Sequence, residues 1–274
     1  MEQRVIPRLR VATVSTFSLL LFINPTHGRA SSPTLAEVSG SALNVRAATA
    51  PAGPAARPVT AHATSSAATD AALRALARHV TRSSHPEALR IAFDAYYRYR
   101  AAHPELVRKP YLYYVDLGLS NATARGYVFD MESMTLVEGP FNVAHGRGSS
   151  RQRNGVPTRF SNQPGSKASS LGLYLAQETY TFGGKSGGRH YRSVGLRMRG
   201  ESGEFNSTAR ARGIVAHGAP YVTSREAGRS EGCPAMEQHR ANRLLPMIAN
   251  GGIVFIFSPN HPRWLRDDPW LRAG

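Results

Sequence analysis

The sequence predicts a mainly β domain, with a short helical hairpin ahead of it and one helix near its end. Between residues 111 and 257 lie several short runs rich in β-branched and aromatic residues, with Gly and Asn at the breaks, which is the pattern of strands. Within that stretch only Met236 to Ile248 reads as a helix. Many strands with a single late helix imply a mostly antiparallel sheet system. Hydrophobic residues make up 41% of the 274 and charged residues 19%, enough apolar material for a good-sized core, which excludes wholesale disorder.

The elements follow in chain order. Arg4, Arg8 and Arg10 stand against one acid, Glu2, before an apolar run from Val11 to Ile23, a break at Asn24-Pro25 and the small-residue site Gly28-Arg29-Ala30. Residues 1–30 therefore read as a secretory signal peptide, the alternative being an uncleaved anchor. The apolar run is shorter than the ~20 residues a membrane-spanning helix needs, so no stable span is expected once the signal is cleaved. Residues 31–70 are dominated by Ala, Pro, Ser, Thr and Gly and hold no Phe, Trp or Tyr, and read as a disordered tether that cannot bury enough surface to offset its ordering entropy. Leu73, Leu76 and Val80, then Leu89, Phe93, Tyr96 and Tyr97 after His85-Pro86, recur at helical spacing, which places a helical hairpin over 71–107, ended by Pro104. Strands are expected at Tyr111–Leu117, Gly126–Asp130, Thr135–Val137, Leu171–Ala176, Ser193–Met198, Gly213–His217 and Gly252–Phe257, with Gly/Ser/Arg-rich loops between them. A tail takes up 261–274.

Charge is the feature most easily over-read. Lys and Arg number 34 against 18 Asp and Glu, a net charge of +16, and only Lys109, Lys167 and Lys185 are lysines. The arginines are spread along the whole chain rather than gathered in a stripe, so a nucleic-acid partner is not expected; a polyanionic cell-wall surface suits the same charge. Cys233 is the only cysteine, which excludes an intramolecular disulfide and a cysteine-based metal cluster.

The chemistry is expected in the last third, where Gly213-Ile-Val-Ala-His217-Gly218 is followed by Gly228-Arg-Ser230-Glu231-Gly232-Cys233-Pro234. A strand ending in His-Gly puts an imidazole at a sheet edge. Pro234 suits the first turn of a helix, and a thiol at a helix start is favoured as thiolate. The amides of Gly232 and Cys233 are candidates for an oxyanion hole. Together these support acyl transfer through a thioester; the same residues also suit a buried structural cysteine beside an unrelated turn histidine. Arg159, Tyr174 and Arg229 are candidates for holding a substrate, with the Arg fork matched to carboxylates. His145-Gly146 forms a second His-Gly pair, and His190 and His239 read as surface residues.

The segment from His217-Gly218 to Ser230-x-Gly232-Cys233-Pro-Ala resembles the active-site signature of the L,D-transpeptidase (YkuD-type) family, in a divergent murein L,D-transpeptidase branch. The similarity extends through Pro110–Asp116, Val143–Gly146, Thr158–Gly165, Ser169–Tyr174, Glu178–Tyr180, Phe205-Asn206 and Arg212–Ala219. It implies a β-sandwich-like catalytic domain over 108–260 with Cys233 as nucleophile and His217 as base, oriented by a backbone carbonyl near Gly218. The oxyanion hole would lie around Gly232 and Cys233, and Ser230 would bond the loop or the substrate. Members cleave peptidoglycan stem peptides between diaminopimelate and D-Ala without a metal or organic cofactor. They pass the acyl group to an amine of another stem or of a wall-linked protein, or to water. The resemblance thus implies an exported, periplasmic or otherwise extracytoplasmic enzyme of cell-wall remodelling. A carboxypeptidase or a hydrolase of protein–peptidoglycan crosslinks shares the first half-reaction, and a catalytically silent wall-binding module is the non-enzymatic alternative. The family's residue before Gly-Cys is His, and here it is Glu231, a change that bears on acceptor choice and, if the carboxylate points inward, raises the thiol's pKa.

Overall fold

The computed structural model describes residues 59–271; the expected signal peptide and residues 31–58 of the expected tether lie outside the described residues. Helix α1 spans Val59–Leu76 and α2 spans Ala88–Ala102. The hairpin therefore opens inside the segment read as tether. Its core-facing stripe explains why: Ser65, Thr69, Ala72 and Leu76 are buried at spacings of three and four, one face of a helix. That stripe is small and polar, so hydrophobic periodicity does not reveal it, while the Ala-rich composition that suggests low complexity is also the best helix former. On α2, Leu89, Phe93, Tyr96 and Tyr99 are buried, with Phe93 edge-on to Phe129 at 5.4 Å. The tyrosine cluster is packing.

Ten strands follow: β1 Tyr111–Asp116, β2 Gly126–Asp130, β3 Thr135–Phe141, β4 His145–Gly146, β5 Gly172–Ser186, β6 Arg189–Gly200, β7 Val215–Gly218, β8 Arg229–Ser230, β9 Ala235–Met236 and β10 Ile253–Phe257. Eight form one mixed sheet in the order β3-β2-β1-β10-β5-β6-β7-β9, and β4 pairs with β8 in a second. The mainly β class is the one expected. Within it β1–β10, β7–β9 and β4–β8 are parallel and the other pairs antiparallel. Every residue of β10, Ile-Val-Phe-Ile-Phe, is buried, as a central strand covered on both faces requires.

Strands β5 and β6 run well past their expected ends. Pairing continues from Thr181↔Val194 to Ser186↔Arg189, closed by Gly187 and Gly188, both at positive φ, a two-residue turn that glycine pairs favour. Beyond Gly195, where β6 leaves β7, this ribbon pairs only with itself. Helix α3, Gln238–Ile248, packs on β6 and β7 and is tied to β3 by Glu138, which pairs with Arg240 and Arg243.

The segment expected as a tail is part of the core. Helix α4, Pro262–Asp267, buries Trp264 completely against Phe255 and Phe257, ring centroids 6.1 and 5.8 Å away. The Trp264 indole donates to Asp268 at 2.6 Å, and Trp270 donates to the Glu201 carbonyl at 2.7 Å. Among the described residues no helix is long and apolar enough to cross a membrane. Trp264→Ala removes a fully buried ring and is expected to cost about 3–5 kcal/mol, read as a lower urea midpoint at unchanged slope.

Candidate functional site

The Glu231–Pro234 turn bridges the two sheets. On its N-terminal side β8 is paired to β4 through His145↔Arg229 and Gly146↔Ser230; on its C-terminal side β9 is paired to β7 through His217↔Ala235 and Gly218↔Met236. The turn is also pinned from within. The Ser230 hydroxyl donates to the Cys233 carbonyl at 2.6 Å and accepts the Gly232 N–H at 3.1 Å, while Ser169 donates to the Gly232 carbonyl at 3.0 Å. Gly232 sits at φ +133°, a region in which a side chain is strained. Gly146 lies against it: a Cβ there would come within 2.7 Å of the Gly232 Cα. The Arg212 guanidinium holds the neighbouring loop through the carbonyls of Ser161 (2.7 Å) and Ala168 (2.8 Å).

Cys233, His217, Ser230 and Glu231 line one cleft of about 630 Å³, together with the cations Arg147, Arg153, Lys185 and Arg229 and the rings of Tyr191 and Tyr221. His217 is buried, and its Nδ1 lies 3.1 Å from the Gly218 carbonyl. A carbonyl only accepts, so Nδ1 carries the proton and Nε2 is left as an acceptor. Phe182 and Tyr221 stand edge-on to the ring at 5.5 and 6.4 Å. Burial lowers the His217 pKa, against the opposing Gly218 bond, so the imidazole is neutral at neutral pH.

The thiol differs from expectation in two ways. Pro234 leads into β9, and α3 opens only at Gln238, so Cys233 is not at a helix start and feels no dipole there. Half-buried, it has its pKa raised, chiefly by desolvation; the Val215 N–H and the Arg212 charge oppose this, and Glu231 adds to it. Cys233 therefore rests as a thiol rather than a preformed thiolate. Its sulfur accepts from the Val215 N–H at 3.4 Å and faces the Gly213 carbonyl at 3.8 Å. No hydrogen bond joins it to the imidazole of His217, whose backbone lies two residues beyond Val215 on β7, a rise of about 7 Å between the two Cα positions. The Gly232 amide is taken by Ser230, which leaves the Cys233 amide as the candidate oxyanion donor.

The other candidates divide. Arg229 lines the cleft, its Nη1 anchored on the Ser150 carbonyl at 3.1 Å. Glu231 is salt-bridged to Arg147 at 2.6 Å and Lys167 at 3.4 Å. Partial burial pushes its carboxyl up, but these two cations outweigh that and hold it below its usual range. Arg159 is exposed and does not line the cleft. Tyr174 is fully buried with its hydroxyl on Ser170, outside the cleft. His145 is buried beneath the turn, its Nδ1 accepting from Arg125 at 2.9 Å. The sequence reading missed Arg147, Arg153, Lys185, Tyr191 and Tyr221 as cleft residues; they sit in loops and in the ribbon, and the one local signal available was the Gly187-Gly188 pair, a hairpin-turn dipeptide beside Lys185 and Tyr191.

His145 carries a pH signature. Burial, then the Arg125 and Arg229 charges, lower its pKa from 6.5 to about 3. As pH falls below 6.5 the unfolded chain takes up a proton that the folded one refuses, so stability is complete above 6.5 and is lost on acidification towards 3. About 2–3 kcal/mol is expected to go between pH 6.5 and 4.5. Urea titrations at both pH values check this, and His145→Gln, which keeps an acceptor for Arg125, flattens the dependence.

Comparisons with known proteins converge on one group. Solved structures similar to this chain include an L,D-transpeptidase from Mycobacterium smegmatis, 12% identical, with 54% of this chain aligned to 59% of that one at a TM-score of 0.32. An L,D-transpeptidase from Xylanimonas cellulosilytica is 15% identical, with shares of 54% and 61% and a TM-score of 0.31. The L,D-transpeptidase (Yku) from Stackebrandtia nassauensis is 14% identical, with shares of 71% and 92% and a TM-score of 0.34. The chain thus spans about three fifths of the first two, and likeness this remote bears on neither site nor substrate. No curated protein sequence matches the chain. Residues 81–257, more than half the chain, match the family model described as the L,D-transpeptidase catalytic domain, and the chain belongs to that family.

Proposed function

We propose that the protein is an exported cysteine acyltransferase that remodels peptidoglycan, taking stem peptides as acyl donors through a Cys233 thioester. One observation carries this reading. The only thiol of the chain and an imidazole with a bare Nε2 share one cleft, on strands whose register is set by His217↔Ala235.

The steps follow from the resting charges. The thiol is protonated, so attack requires a general base. Attack requires the sulfur to leave the Val215 N–H and come within hydrogen-bond reach of His217. Nε2 then takes the thiol proton as the sulfur adds to the scissile carbonyl, and the Cys233 amide donates to the developing oxyanion. Collapse breaks the C–N bond, and the departing amine of D-Ala leaves with the proton held on Nε2. An amine or water then attacks the thioester, gives its proton to His217 and restores the thiol. Arg229 is placed to hold a carboxylate of the stem. Gly218 sets the tautomer of His217, and Ser230 and Gly232 hold the turn. Export by residues 1–30 and a periplasmic or other extracytoplasmic, wall-associated location belong to the same reading.

Four cations and one acid line the cleft, a field that welcomes an anionic donor and opposes a protonated amine. This is the observation behind the second reading, a carboxypeptidase or crosslink hydrolase with water as acceptor, which shares the first half-reaction.

Purified protein incubated with tetrapeptide muropeptides is expected to release D-Ala, and mass spectrometry separates crosslinked dimers from trimmed monomers. Cys233→Ala is expected to abolish release, and His217→Ala to lower kcat by at least about 100-fold, both with unchanged circular dichroism. Release that survives Cys233→Ala overturns the reading; no release from the wild type favours the silent wall-binding module.

A further inference from the structure

The Glu231 side chain is bound in a way the turn does not need. The backbone from Ser230 to Cys233 is held by Ser230, Ser169 and the two strand pairings, none of which involves the Glu231 carboxylate. That carboxylate instead reaches sideways to Arg147 and Lys167. The three side chains are 63%, 49% and 47% exposed, so their pairing adds little net stability. Giving up this pairing therefore costs the folded chain little. Glu231 is also the one acid among the residues lining the cleft. Arg153 has its own partner, Glu226, at 3.5 Å, whereas Lys185 and Arg229 have no carboxylate partner among the described residues.

We propose that Arg147 and Lys167 form a carboxylate-binding subsite beside the nucleophile, and that Glu231 fills it until a carboxylate of the incoming substrate takes its place. The peptidoglycan reading is needed only to name the molecule that brings that carboxylate. Glu231 then acts as a built-in competitor. It keeps the cations paired while the cleft is empty, and a ligand must outbid it, which selects stems with a free carboxylate over amidated ones. Once displaced, Glu231 swings into solvent without moving Gly232 or Cys233.

The sole cysteine makes the test direct. The Cys233 sulfur displaces iodide from iodoacetate, an anion, or from neutral iodoacetamide, forming a C–S bond in each case. The ratio of the two rates cancels any change in thiol ionisation. Glu231→Gln is expected to raise the iodoacetate-to-iodoacetamide ratio about tenfold, with the iodoacetate rate saturating in reagent. The rise is expected to vanish when Arg147→Gln and Lys167→Gln accompany it, and to be largely restored by Arg147→Lys. An unchanged ratio, or an equal rise with both cations removed, overturns the subsite, because a diffuse field acts additively and a shared partner does not. Should the triple variant fold poorly, Lys167→Gln with Glu231→Gln must still show a reduced rise. Neither reagent involves peptidoglycan, so failure here and failure of the muropeptide assay are separate results.

Discussion

The structure around the cleft depends on how one turn is held. Glu231–Pro234 belongs to neither sheet, yet it is fixed because β8 and β9 on its two sides are paired to β4 and β7. The Ser230 hydroxyl closes it from inside, and Gly146 permits the contact with Gly232 from behind. Each of these is modest alone, since a hydrogen bond contributes about 1 kcal/mol net. Their joint effect is geometric: the sulfur and its amide are presented at one place relative to the imidazole on β7.

Charge placement then decides the chemistry available there. The same burial that shapes the cleft keeps the imidazole neutral and raises the thiol's pKa. A thiol and an imidazole resting in that state store no ion pair. The arginines and lysines around the cleft act at longer range, on what enters rather than on which atom carries the proton.

Much of this was legible in the residues. Strands β1, β2 and β10 announce themselves because both of their faces are buried and their runs are apolar. The meeting of Cys233 and His217 in one cleft was legible from the motif. What escaped did so for physical reasons. α1 buries Ser65 and Thr69, which carry no hydrophobic signal. The outer ribbon of β5 and β6 is polar because nothing covers it. Trp264 lies beyond the last strand, where composition cannot separate a packed end from a loose one. The thiol's environment was misjudged because Pro234 begins a strand as readily as a helix, and β9 is too short to reveal itself by alternation. Arg147 and Lys167 are separated in sequence by the Gly/Ser-rich loop, and the fold returns the second beside the first, where both side chains reach Glu231.

The β5–β6 ribbon has a mechanical consequence. It is a narrow two-strand lever, supported at one end by the sheet and unpaired with β7 beyond Gly195. Phe182 stands edge-on to the His217 ring from within this lever, and Lys185 and Tyr191 border the entrance further out. Any tilt of the lever therefore changes the width of the doorway and the seat of the imidazole in a single movement, so the two are geared together.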